Sequence, residues 1–406
     1  MSLSLENPKV SAPFLQVSWR IWWLLFLFAA IGLALWAMPA APYALLRIEP
    51  DSKYYLRAGA YFSSTGKLGA SYLLWPPGYP IFLGVLGWIG GPALPQLGWA
   101  NLALYSTALL IFGWIVVHAF QSRQTALLLT VCVAFGAPLT LIYGFVLSET
   151  LAVPFNIAWL TLWTDYLHRG GSRNAMLAIA IAMLSLITRY MAASAIATLG
   201  LTVLITWRRR SLRANTTLLA WLVLAVMPCI AWMGRTWGLS QTLTGPRDPP
   251  GAFAKSAFID FSTTISNWFA PLLPPTPNDH YMGLASLILL ALISMIVAIV
   301  GIWRSETESP ALEFRENLLL TTSIYLITAS ATLLVASQFT LIDRVGNRLM
   351  APLFLPMILL ISVWLMAGLR ANHIAPRYLA RLAAVVWVAM ALLAPNGLVD
   401  HLLRNA

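Results

Sequence analysis

The chain has 406 residues, of which 59% are hydrophobic and 10% are charged, and its formal net charge is +11. A soluble domain carries about 25% charged residues, so this composition cannot cover a water-exposed surface. The basic residues gather at the ends of apolar runs, which reads the positive charge as membrane anchoring and excludes nucleic acid as the expected partner.

Apolar runs near the ~20 residues needed to cross a hydrocarbon core recur along the whole length. The predicted class is all-α, a polytopic transmembrane helical protein forming one domain over residues 1–406. Alternating ten-residue strands are absent, which argues against a barrel. In chain order the spans fall at about 18–38, 98–119, 124–142, 149–167, 175–188, 191–207, 216–236, 283–303, 317–338, 349–369 and 379–396, about eleven in all. The first run, Val17 to Met38, is longer than the apolar core of a signal peptide and ends in tryptophans, so it is read as an uncleaved span. Cys132 and Cys229 fall inside spans, and neither a disulfide framework nor a zinc site is expected.

A long loop, about 39–97, follows the first span and opens on "LLRIEPDSKYYLRAGAYF" (45–62), which packs Arg47, Glu49, Asp51, Lys53 and Arg57 together. Tyr54, Tyr55, Ala58, Tyr61 and Phe62 recur at helical spacing, which predicts an interfacial amphipathic helix. "PPGYPIFLGVLGWIGG" (76–91) is apolar but short and broken by glycines, and reads as a second interfacial helix. A second long loop, about 237–282, is rich in proline. His280 beside Asp279 in that loop is weak evidence of function by itself.

Arginines set the orientation. Arg123, Arg169, Arg173, Arg208 to Arg210, Arg213, Arg304, Arg315, Arg370, Arg377 and Arg381 fall on one set of short loops, and Arg189, Arg344 and Arg348 on the other. The positive-inside rule then places the N-terminus in the cytoplasm and both long loops outside. Missing retention signals and compact loops point to a multi-pass plasma membrane of bacterial inner-membrane type. Parity brings Asp51, Glu149, Arg189, Asp343, Arg344 and Arg348, from four distant segments, to the outer face. Charges at membrane depth are costly unless they pair or line a wet cavity, so convergence is the economical reading.

Each residue also has a plainer reading. Asp51 suits the N-cap of the interfacial helix, and Ser148 suits an N-cap with Glu149 favoured by the helix dipole. Arg189 can snorkel to headgroups, and Arg344 and Arg348 can serve as anchors. Tyr54, Tyr55, Tyr61, Tyr72, Trp75 and Tyr79 suit either an interfacial belt or a surface for stacking sugar rings. No H-E-x-x-H, C-x-x-C, P-loop or G-x-S-x-G element occurs, so zinc, nucleotide and serine-nucleophile hydrolysis lack their usual parts and no nucleotide cofactor is expected.

Taken together, "EPDSKYYLRAGAYF" (49–62), "WPPGYPIFL" (75–83), "LSETL" (147–151), "LITRYMA" (186–192) and "NRLMAPLFLP" (347–356) resemble, in order and topology, the GT-C glycosyltransferases of the protein mannosyltransferase and aminoarabinose transferase type. The resemblance implies a polyprenyl-phosphate-linked sugar donor, a lipid, glycan or protein acceptor, and reaction on the extracytoplasmic face. It implies Asp51 as general base or metal ligand, with Mg or Mn as the divalent ion. Arg348 and Arg344 would then meet the lipid phosphate, with Glu149 and Arg189 lining the cavity; Tyr54 and Tyr55, whose flat faces can stack on a sugar ring, are taken beside them as substrate contacts. Two positions depart from the pattern: Ser52 stands where many relatives carry a second acid, and Trp75 where aminoarabinose transferases carry a lysine. The competing expectation is a carrier or flippase for lipid-linked sugars, which calls for charge or broken helices near mid-bilayer in two related halves.

Overall fold

The computed structural model describes residues 19–38, 46–91, 93–246, 253–269, 279–304, 310–339 and 347–369, together with positions 378, 381, 382 and 385. Among them lie fourteen α-helices: α1 (Trp19–Ala37), α2 (Pro50–Thr65), α3 (Gly78–Gly90), α4 (Ala93–Phe120), α5 (Arg123–Ala134), α6 (Ala137–Tyr143), α7 (Glu149–Arg169), α8 (Ser172–Thr188), α9 (Ala193–Ile205), α10 (Leu212–Ser240), α11 (Phe253–Phe269), α12 (Asp279–Arg304), α13 (Pro310–Phe339) and α14 (Asn347–Leu369). The one extended pairing among the described residues is an isolated parallel bridge between Arg47 and Phe145. Length and composition alone identify five membrane-crossing helices: Trp19–Ala37, Gln96–Phe120, Leu212–Ser240, Glu313–Ser337 and Arg348–Leu369. Of the expected span at 379–396 only positions 381, 382 and 385 are described, and Asp343 and Arg344 lie outside the described residues.

Two stretches differ from the sequence reading. The run at 124–142 is two helices, α5 and α6, because Pro138 has no N–H to offer the carbonyl of Ala134 four residues back. That carbonyl instead accepts from the Tyr105 hydroxyl, and Tyr105 stacks on Tyr143 at 4.4 Å between ring centroids. The second long loop contains α11, and Asp279 and His280 belong to the first turn of α12. α11 escaped the hydropathy reading because its apolar residues form a stripe rather than a run: Ala257, Phe261, Ile265 and Trp268 are buried at helical spacing.

α7 is the centre of the bundle, packed by α4, α8, α13 and α14. Polar side chains tie it to its neighbours. Asn156 Nδ2 donates to the Tyr325 hydroxyl at 2.9 Å, Ser185 Oγ to Asn156 Oδ1 at 3.1 Å, and Trp163 Nε1 to Thr202 Oγ1 at 2.7 Å. Lipid supplies no hydrophobic drive between helices, so such bonds and close packing hold them together. α1 and α10 instead turn large apolar side chains outward, among them Leu24, Leu25 and Phe28 on α1 and Val223, Leu224 and Ile230 on α10.

Candidate active site

The site is built where the first turn of α2 meets the link between α6 and α7. Pro50 opens α2, a position where its missing N–H costs nothing. The cap residue is therefore Glu49 and Asp51 falls within the first turn, which corrects the N-cap alternative for Asp51. Ser52 Oγ accepts from the Glu49 N–H at 2.9 Å and donates to the Val146 carbonyl at 2.8 Å. Residues 143–148 carry no helical ladder across most of their length, so their polar groups need other partners in an apolar setting. Arg47 N–H donates to Gly144 O at 3.1 Å and Val146 N–H to Arg47 O at 3.3 Å. Asn101 Nδ2 donates to Tyr143 O at 3.1 Å and to Phe145 O at 3.3 Å. The segment leading into Glu149 is thereby held by three other parts of the chain.

Glu149 is the first residue of α7 and is fully buried. Its Oε1 accepts from Arg189 Nη1 at 2.5 Å and from Arg348 Nε at 3.0 Å, and its Oε2 accepts from Ser148 Oγ at 3.2 Å. Arg189 follows the last turn of α8 with extended backbone, and Arg348 is the second residue of α14. Arg348 Nη2 also binds Asp51 Oδ2. One guanidinium thus bridges two carboxylates, and one of those carboxylates takes two arginines. A buried carboxylate is tolerated only when charge and hydrogen bonds replace its lost water, which this arrangement provides. Exposure rises from Glu149 outward: the side chains of Arg189, Asp51 and Arg348 are 12%, 19% and 25% exposed, so the network opens at the Asp51–Arg348 edge.

Two plain readings of the sequence give way here. Ser148 makes no side-chain cap; its hydroxyl faces Glu149, with Arg189 Nη1 and the Tyr55 hydroxyl each at 3.4 Å. Arg189 turns its head inward to Glu149 rather than snorkelling outward. Tyr55, Tyr72 and Tyr79 are buried, so they are packing groups rather than a lipid-facing belt, while Tyr54 and Tyr61 are exposed. Burial, and next the charge of Glu149, push the Tyr55 phenol well above its ordinary range, so it stays neutral beside the carboxylate. Of the residues singled out from sequence, Asp51, Glu149, Arg189 and Arg348 form one network, Tyr55 joins it through Ser148, and Tyr54 lies one turn along α2 from Asp51. Asn101 and Arg235 were missed: Asn101 sits in an apolar run that offers no motif, and Arg235 reads as an ordinary span-end charge.

The donor set does not make a metal cage. Among the described residues no three His, Cys, Asp or Glu side chains gather. The two carboxylates that do converge are both bonded to Arg348, so a cation would have to displace guanidinium groups to bind them.

No family model and no curated protein matches this sequence. Solved structures do resemble it. The aminoarabinose transferase ArnT from Cupriavidus metallidurans, bound to undecaprenyl phosphate, matches at a TM-score of 0.51 and 17% identity over 96% of this chain and 73% of that one. The Archaeoglobus fulgidus oligosaccharyltransferase, in complex with zinc and sulfate, matches at a TM-score of 0.52 and 12% identity over 90% of this chain. This chain covers 53% of that protein, about half its length. Its apo form matches at 0.51 and 12% identity. The chain therefore shares the fold of these two proteins.

Proposed function

We propose that the protein is a membrane glycosyltransferase that moves one sugar from a polyprenyl-phosphate carrier to a lipid, glycan or protein acceptor on the extracytoplasmic face. The observation that carries this reading is Arg348 bonded at once to Asp51 and Glu149. Transfer breaks the bond between the anomeric carbon and the phosphate oxygen, and forms one from that carbon to the acceptor oxygen. The acceptor proton passes to Asp51, and the negative charge left on the phosphate meets Arg348 and Arg189. A positioned carboxylate supplies the first function and fixed guanidinium groups the second. Glu149 holds both arginines in place and stays out of the proton's path. As Arg348 engages the phosphate it loosens its hold on Asp51, which frees that carboxylate to act as base. Support also comes from the fold shared with the structure that holds undecaprenyl phosphate.

The test is to incubate the purified chain in detergent with undecaprenyl-phosphate sugars and membrane glycolipid acceptors, and to measure free undecaprenyl phosphate. Turnover is expected from the wild type and none from Asp51→Asn, with the variant's fold intact because that side chain lies at the open edge of the network. Transport of intact donor across proteoliposomes without release of undecaprenyl phosphate would replace this reading with a carrier. Full turnover by Asp51→Asn would remove Asp51 from the chemistry.

A further inference from the structure

The loop between α2 and α3, residues 66–77, is fastened at every side although it contains no helix. Arg235, near the end of α10, donates from Nη1 to Tyr72 O at 3.2 Å and from Nη2 to Gly69 O at 2.9 Å and Leu68 O at 3.4 Å. Its guanidinium also lies over the Trp232 ring, 4.6 Å from the centroid. Gly245, at φ +84°, presses so closely on the loop that a Cβ there would lie 2.7 Å from Leu73 O. Within the loop the Tyr72 hydroxyl donates to Pro76 O at 3.2 Å. A charged side chain committed to three carbonyls of one short loop fixes its conformation rather than merely anchoring a span end.

What the fixed loop presents is Trp75. Its ring lies 5.6 Å from that of Tyr54, 5.4 Å from Tyr55 and 6.4 Å from Tyr72. Tyr54 and Tyr55 stand three and four residues after Asp51 on α2, the spacing of neighbours on one helix face. Tyr55 reaches Ser148 and so the Glu149 end of the charged network. Trp75 is only partly buried and Tyr54 is 52% exposed, so the pair keeps ring surface open within one helical turn of the proposed base. Belt aromatics scatter along span ends, whereas here three tyrosines converge on one tryptophan beside a carboxylate and an arginine.

We infer that Trp75 and Tyr54 form an aromatic shelf that takes the apolar face of a pyranose ring and sets its anomeric carbon beside Asp51 and Arg348. The inference rests on the lipid-donor reading above and adds to it the group that reads the sugar. Aromatic faces give sugar rings apolar contact without demanding one pattern of hydroxyls, so the shelf suits a hexose ring in general.

The experiment measures binding to the full chain in nanodiscs of undecaprenyl phosphate and of its mannose, glucose and galactose esters. Wild type is expected to bind at least one ester more tightly than the bare carrier. Trp75→Ala should weaken that ester about tenfold and leave the bare carrier unchanged, a loss typical of one aromatic contact. Trp75→Phe should recover most of it, and Tyr54→Ala, at an exposed position that does not endanger folding, should give a smaller loss of the same kind. Equal losses for ester and carrier, or no loss, would overturn the shelf while leaving the transferase reading standing. An absence of any gain from the three sugars in wild type would do the same. A wild type that binds neither carrier nor ester would instead remove the lipid-donor reading itself.

Discussion

Arg348 and Glu149 are 199 residues apart in the chain, and their side chains meet at 3.0 Å on the first turns of α14 and α7. Arg189 completes the clasp from the end of α8. Three helices are thus joined through one carboxylate that has no contact with solvent.

Glu149→Gln keeps the shape of that carboxylate and removes its charge. Two arginines then lose their shared counterion, and breaking a buried pair costs about 3–5 kcal/mol. The expected outcome is a clear drop in the melting temperature of the purified protein, larger than that of Asp51→Asn at the open edge. Thermal unfolding of the two variants side by side checks it, and equal losses would show that the clasp is not the structural member of the site.

Ser52→Ala removes the donor to the Val146 carbonyl and leaves that carbonyl without its partner in an apolar setting. The cost is about 1–3 kcal/mol, and turnover should fall with it because Asp51 and Glu149 lose their common frame. Ser52→Thr keeps the hydroxyl and should retain more of both. If alanine and threonine behave alike, the bond to Val146 does not position the site.

Gly78 begins α3 against the last turn of α8. A Cβ there would lie 2.7 Å from Ile187 O and 2.8 Å from Thr188 Oγ1. Backbone cannot yield as a flexible side chain does, so Gly78→Ala should push the end of α8, and with it Arg189, by a fraction of an ångström. We expect a loss of about 1–3 kcal/mol and a fall in turnover of about tenfold or more. Unchanged kinetics in this variant would mean that the position of Arg189 is not critical.

The Tyr55 and Tyr72 phenols are both raised above their ordinary range, chiefly by burial. In the unfolded chain they ionise near pH 10, while in the fold they stay neutral. Unfolding therefore releases protons above about pH 10, and stability falls as pH rises through that value. Melting temperature should hold below it and decline above, and the decline should soften in Tyr72→Phe. A flat profile to pH 11 would show that these hydroxyls are not shielded from water.

Much of this arrangement was legible from residue order. The apolar runs gave α1, α4, α7, α8, α10, α12 and α14 within about five residues and α13 apart from its first two turns, and Asp51, Glu149, Arg189 and Arg348, expected to converge, do meet. The failures have physical causes. A hydropathy window averages across Gly136 and Pro138, so the break between α5 and α6 vanished into one long run. α11 buries one stripe, which a composition reading takes for loop. The partners of the charges also lay beyond sequence: Arg348, expected to stand ready for a phosphate, is already shared between Asp51 and Glu149 because the first turns of three helices meet at one point. Asn101 and Arg235 act on backbone carbonyls, and no motif records which carbonyls a fold leaves open.

The bond from Ser52 to Val146 joins residues 94 positions apart. During synthesis α2 can pack on α3 at once, but the Ser52 bond waits for the segment between α6 and α7, and Arg348 arrives 199 residues after Glu149. An early fragment of the chain therefore lacks the charged network, which is complete only once α14 meets α2 and α7.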